Sequence, residues 1–356
     1  MGCQIGAAVL IVALTATLVA CSGGADGPTV QDDAPAERPA TLSEEPAGPP
    51  GSLSPTAADD VASAPAGATP TAWTELATAP LALSEVTAAG HAGELWTAGG
   101  FTAAGEAVTA VQRFVPRTGR WAEGPRLPVA IHHSALASTG DRLLLLGGYE
   151  GSDFSAPSAE VWVLADEIEG WRRGPALPAP RAAGAAAFDG RHVVYGGGVG
   201  PDGVAADIWQ LDGDEWTPAG QLSTAREHLA AAGRDGVVWF LGGRTSGLDS
   251  NLGVVDLVRD GAAEALGDVL PPAGGVAGFA TADGRACMVG GEDPSATSAS
   301  VVCVDTDGTA SSLPGLGVAR HGLAVGVVDD TVYVAMGGPH PGLFVSNVLE
   351  ALPLPG

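Results

Sequence analysis

Leu143-Leu144-Leu145-Leu146-Gly147-Gly148 is an apolar run that stops on two glycines, and the pattern returns along the chain. Leu95-Trp96-Thr97-Ala98-Gly99-Gly100 precedes it. Val193-Val194-Tyr195-Gly196-Gly197, Val238-Trp239-Phe240-Leu241-Gly242-Gly243, Cys287-Met288-Val289-Gly290-Gly291 and Tyr333-Val334-Ala335-Met336-Gly337-Gly338 follow. The first glycines stand at 99, 147, 196, 242, 290 and 337, a spacing of 46 to 49 residues. A second marker runs in phase, because Trp73, Trp121, Trp171 and Trp216 are 48, 50 and 45 residues apart. Repeats of this length are supersecondary units that bury a face only by stacking on a neighbour.

Two further strand-like runs lie between the markers. One follows a Pro-containing corner, as in Leu177-Pro178-Ala179-Pro180-Arg181 before AAGAAAF, and the other follows the doublet, as in Asp207-Ile208-Trp209-Gln210-Leu211. Four short strands per repeat result. The markers resemble those of the kelch family, with a Gly-Gly doublet ending the second strand, an aromatic on the third and a Trp about seven residues on. Phe114 to Trp121 and Trp209 to Trp216 keep that spacing, and Trp162 to Trp171 stretches it to nine.

The resemblance implies an all-β, six-bladed β-propeller over residues 73–356, four antiparallel strands per blade. The chain ends on a third strand, and Ala72-Trp73-Thr74-Glu75-Leu76 is an orphan outer strand, so this N-terminal strand should complete blade six and close the ring. No Trp stands near 264 or 310, so blades four and five should have weak outer strands. With strands two and three paired antiparallel, Cys287 and Cys303 face each other at a Cα separation of about 4.5 to 5.5 Å, and a disulfide is expected.

Residues 1–20 hold an apolar run, Ile5 to Ala20, too short to span a bilayer, which reads as a signal peptide although residues 1–4 carry no base. Leu18-Val19-Ala20-Cys21 resembles the lipobox of bacterial lipoproteins, which implies lipidation of Cys21, export and membrane anchoring. Residues 21–72 are rich in Pro, Ala and acids and contain no aromatic, the composition of a disordered tether. The expected address is the bacterial cell membrane or cell surface.

All 16 basic residues are Arg, against 41 acids, for a net charge of −25. Such a chain repels phosphate backbones, which argues against nucleic acid as a partner. There is no CxxC, HxH or HExxH, and His132 and His133, if extended, point to opposite faces, so no metal or cofactor is expected. The copper site of kelch galactose oxidases is not implied, because Tyr195 and Tyr333 sit beside doublets in strands and both domain cysteines have a structural use.

By resemblance, the binding face is formed by the loops leading into each first strand and those following each doublet. The lead-in loops offer Ser84, Glu85, His132, His133, Arg181, Arg226, Glu227, His228, Arg320 and His321; the post-doublet loops offer Tyr149, Asp153, Asp202, Arg244, Glu292, Asp293 and His340. Arg181, Arg226 and Arg320 occupy equivalent positions. They either converge on a carboxylate ligand or anchor their own loops to backbone carbonyls.

The favoured reading is a monomeric binding or interaction module for an envelope protein or glycan, without catalysis. The alternative is an exported carbohydrate-active enzyme resembling the kelch sialic acid epimerase (mutarotase), with Glu227, His228 or His321 as acid and base.

Overall fold

The computed structural model describes residues 72–355, so the leader, Cys21 and nearly all of the tether lie outside the described residues. The described chain forms six four-stranded antiparallel sheets. Blade one comprises Thr87–His91, Glu94–Ala98, Val111–Val115 and Arg120–Glu123. Blade two holds Ala135–Ser138, Leu143–Leu146, Val161–Leu164 and Arg172–Arg173. Blade three holds Ala185–Phe188, Val193–Gly196, Asp207–Asp212 and Glu215–Gln221. Blade four holds Ala230–Arg234, Val237–Leu241, Val254–Arg259 and Ala262–Asp268. Blade five holds Gly274–Ala280, Ala286–Glu292, Val301–Val304 and Ala310–Ser312.

Blade six is assembled from both ends of the described chain. Ala324–Val328, Thr331–Ala335 and Leu349–Pro353 come from the C-terminal side, and Thr74–Glu75 supplies the outer strand. Thr74 pairs with Ala351 and Glu75 with Glu350, as the orphan strand implied.

The second strands are buried along their length, as in LLLL of Leu143–Leu146 and VVWFL of Val237–Leu241. Their side chains fill apolar layers between neighbouring blades, for example Leu143, Leu145 and Trp162 of blade two against Trp96 and Val111 of blade one. A lone blade would leave both faces wet, so stacking around an axis is what stabilises it.

The two repeat markers now have physical causes. At Gly99–Gly100 both residues have positive φ, 66° and 100°, and a Cβ on Gly99 would lie 2.5 Å from the Ile131 carbonyl oxygen of the next blade. The second residue of each doublet donates its amide to the carbonyl of the next lead-in loop: Gly100 to Ile131, Gly148 to Arg181, Gly198 to Arg226, Gly243 to Ala273, Gly291 to Arg320 and Gly337 to Leu83. The circuit is complete. Each marker Trp likewise donates its indole N–H to a carbonyl of the preceding blade: Trp73 to Pro314, Trp121 to Ala77, Trp171 to Pro125 and Trp216 to Pro175.

Two expectations are corrected. The doublet register shifts by one in blades three and six, where Gly197–Gly198 and Met336–Gly337 take the positive-φ positions, Met336 at φ 60°. The outer strand of blade four is not weak, since Ala262–Asp268 runs seven residues from a tight Asp260-Gly261 turn with both φ positive; backbone pairing does not need a Trp. The two-residue outer strands belong instead to blades two and six. In blade two the connection bearing Asp166 and Gly170 is longer, which is why the aromatic spacing there reached nine.

Cys287 pairs with Cys303 across strands two and three of blade five and the sulfurs are bonded. The Cα atoms are 3.8 Å apart, closer than the expected range. Among the described residues no helix is long and apolar enough to cross a membrane.

Candidate functional site at the channel mouth

The six innermost strands surround an axial cavity of about 440 Å³. Its wall is mostly alanine and glycine, the residues that fit where first strands crowd together, as in Ala183–Ala187 and Ala230–Gly233. At the lead-in end one residue per blade lines the cavity with positive φ: Glu85, His133, Ala183, His228, Gly275 and Gly322. These positions are linked from blade to blade, because His133 donates its amide to the Glu85 carbonyl, Ala183 to His133, His228 to Ala183, Gly275 to His228 and Gly322 to Gly275. The fold therefore fixes six equivalent sites around the axis. Three of them carry titratable side chains.

Those side chains belong to a closed circuit of charged and polar groups. His133 Nε2 lies 3.3 Å from Glu85 Oε2, and its ring centroid is 4.8 Å from that of His228. His228 Nδ1 contacts Glu227 Oε2, whose other oxygen accepts from Arg244 Nε at 2.8 Å. Arg244 also donates to Glu292 Oε1 at 3.1 Å. His321 Nδ1 lies 3.6 Å from Glu292 Oε1 and 3.3 Å from Glu85 Oε1, which completes the ring.

Burial and pairing set the charges. Burial pushes the His133 imidazole down to about 3, so it is neutral at ordinary pH. His132 moves down for the same reason. For His321 burial works downward, but Glu85 and Glu292 outweigh it and hold the imidazole up. Burial opposes ionisation of Glu85, yet the imidazoles around it outweigh that and hold its carboxyl well below the usual range. Glu227 is also held down, with His228 and Arg244 overcoming its burial.

Beside this ring stands an aromatic group. His132 stacks on Tyr149 at 5.3 Å and on Phe101 at 4.0 Å, and Phe154 packs over them while remaining 53% exposed. Phe101 and Phe154 did not emerge from the sequence reading. The available signal was the length of the post-doublet loop of blade two, which carries an aromatic that no core position needs.

His132, His133, Tyr149, Glu227, His228, Arg244 and His321 are thus brought together, with Glu85 and Glu292. His132 and His133 are not on opposite faces, because His133 has φ 53° and the two Nδ1 atoms are 2.5 Å apart. Asp153, Asp202 and Asp293 are exposed in outer loops.

The three equivalent arginines do not converge. Each turns into its own blade and meets a carboxylate on the third strand: Arg181 with Asp207 at 2.7 Å, Arg226 with Asp256 at 2.7 Å and Arg320 with Glu350 at 2.5 Å. Arg226 further donates to the carbonyls of Gly242, Thr224 and Phe240, and Arg320 to those of Val318, Met336 and Val348. Arg181 donates to the Pro180 carbonyl and lies over Trp209. They hold the lead-in loops in place. Arg226 and Arg320 have no exposed surface with which to meet a ligand.

No protein-family model matches the chain. Human Kelch-like protein 34 is 30% identical over 138 residues, which is 35% of this chain and 21% of that protein's length. The solved structure of YjhT superposes with a TM-score of 0.64 at 13% identity, covering 77% of this chain and 96% of that one. The second likeness speaks to fold alone. With six recurring glycine turns and six closed blades, the chain is a six-bladed β-propeller whose repeats are similar to those of a kelch-like protein.

Proposed function

We propose that the chain is an envelope-anchored binding module whose loop face takes a neutral glycan. The observation that carries this reading is the juxtaposition of exposed Phe154, over Tyr149 and His132, with the hydrogen-bonding ring of Glu85, Glu227, Arg244 and Glu292. Sugars offer an apolar C–H face to an aromatic plane and hydroxyls to polar groups, and a pocket with both suits them. A carboxylate ligand is disfavoured, since Arg181, Arg226, Arg244 and Arg320 are each already paired with an acid.

A thermal-shift screen of the full chain against neutral glycans, acidic sugars and cell-wall fragments tests the reading. A ligand at about 100 times its dissociation constant should stabilise by ~2.7 kcal/mol. The shift should disappear in Phe154→Ala with the unliganded melting temperature unchanged. Silence across the neutral panel would overturn the glycan reading and leave a protein partner, sought by crosslinking on cells.

The second reading, a carbohydrate-active enzyme, is favoured by one feature, the His228–Glu227 pair, in which a carboxylate orients an imidazole as in general-base sites. Anomer exchange of a bound sugar, seen by NMR and lost in His228→Ala, would establish it.

The anchored address rests on the lipobox-like sequence at Cys21, and the Cys287–Cys303 disulfide agrees with an oxidising compartment. Cys21→Ser should release the protein from the membrane fraction. Retention of that variant on membranes would remove the lipid from the account.

A further inference from the structure

We infer that Glu85, His133 and His228 form a binding site for a divalent first-row transition metal ion at the mouth of the axial cavity. The inference is independent of the glycan reading. One donor atom from each residue lies within 4.8 Å of the other two. The Glu85 Oε2 to His133 Nε2 distance of 3.3 Å matches the edge of a tetrahedron with bonds of about 2.0 to 2.1 Å.

The contacts leave one nitrogen of each imidazole facing the site. His132 reaches the Asp153 carbonyl through Nε2 and His133 Nδ1 through its own Nδ1, so His133 turns Nε2 toward Glu85. His228 is arranged alike, its Nδ1 engaged by Glu227 and its Nε2 left free.

Each ligand is also held from behind. His228 leans on Glu227, itself fixed by Arg244; His133 leans on His132; Glu85 presents its other oxygen to His321, whose Nε2 reaches the His340 carbonyl. Such outer partners fix the ring orientation of metal-binding imidazoles and raise their basicity. Two imidazoles and one carboxylate suit zinc and its neighbours rather than calcium or magnesium, and three protein ligands leave a coordination position open to the cavity.

The backbone fixes where the three ligands stand. The same left-handed turn recurs at all six lead-in positions, with alanine at 183 and glycine at 275 and 322, and at φ 50°, 53° and 51° it carries Glu85, His133 and His228 to the cavity mouth.

Calorimetric titration of the untagged, chelator-treated full chain with zinc should give one ion per chain, and cobalt(II) should give the intense visible absorption of a low-coordinate site. Glu227→Gln, which leaves the three ligands in place, should weaken zinc about 10- to 100-fold. His228→Gln should weaken it more. Circular dichroism melting of each variant reports whether the domain is folded, and Glu227→Gln serves if His228→Gln is not. No zinc or cobalt taken up by the folded chain would overturn the inference. Uptake unchanged in folded His228→Gln or, failing that, in Glu227→Gln would overturn it equally, as metal bound elsewhere.

Discussion

Arg320→Ala is expected to lower the unfolding free energy by about 3 to 5 kcal/mol, the cost of leaving a buried carboxylate without its partner. Glu350 is 3% exposed and would lose its contact with Arg320, while the Met336 carbonyl would lose its guanidinium donor and the Val348 carbonyl would keep only the Met336 amide. Arg226→Ala should behave alike, since Asp256 is 1% exposed. The double change Arg320→Met with Glu350→Leu should recover most of the loss, because an apolar pair of similar volume removes both charges together. Arg181→Ala should cost much less, for Asp207 is 43% exposed and water can take over. Urea unfolding of the five proteins checks the series. Single variants within 1 kcal/mol of the parent would mean that these guanidinium groups do not secure the lead-in loops. The same comparison guards the binding experiments, since any ligand loss in Arg226→Ala would come through a displaced Glu227 and His228 rather than a lost direct contact.

Removal of the disulfide has the second largest expected effect. Cys287 and Cys303 are separated by 16 residues, and a closed loop of that size stabilises by about 3 kcal/mol in the chain-entropy treatment. Cys287→Ala with Cys303→Ala should lose about that much, and added reductant should bring the parent to the same midpoint. The pair sits among Phe279, Val289, Val301 and Leu323, so the loss should appear as faster amide exchange concentrated in blade five. A parent whose midpoint ignores reductant would show that the loop is equally restricted without the bond.

Period and pairing were legible in the sequence because repetition reports them many times over. The six blades, the outer strand contributed by Thr74–Glu75 and the cysteine pair all followed from counting positions. The one-residue register errors arose where glycine identity and glycine conformation part company: three consecutive glycines hide the doublet at 197–198, and Met336 adopts the left-handed turn without being glycine. Arginine equivalence was legible too, but not direction. The acids that capture Arg181, Arg226 and Arg320 lie 26, 30 and 30 residues downstream on the third strand, a recurrent pairing that the sequence contained. The polar ring was harder to see. His132 and His133 alternate only if extended, and the turn at His133 is imposed by an amide donated to the neighbouring blade, an interaction 48 residues distant.

Closure by Thr74–Glu75 on Leu349–Pro353 bears on where the polypeptide needs to be interrupted. Residues 73 and 354 flank adjacent paired strands, so a short peptide could join them, and the turn at 213–214 between strands three and four of blade three could be cut instead. Every ladder would survive such a circular permutation, with blade three now built from both ends. The blade that receives the termini is thus a property of the gene's starting point, while the architecture itself has none.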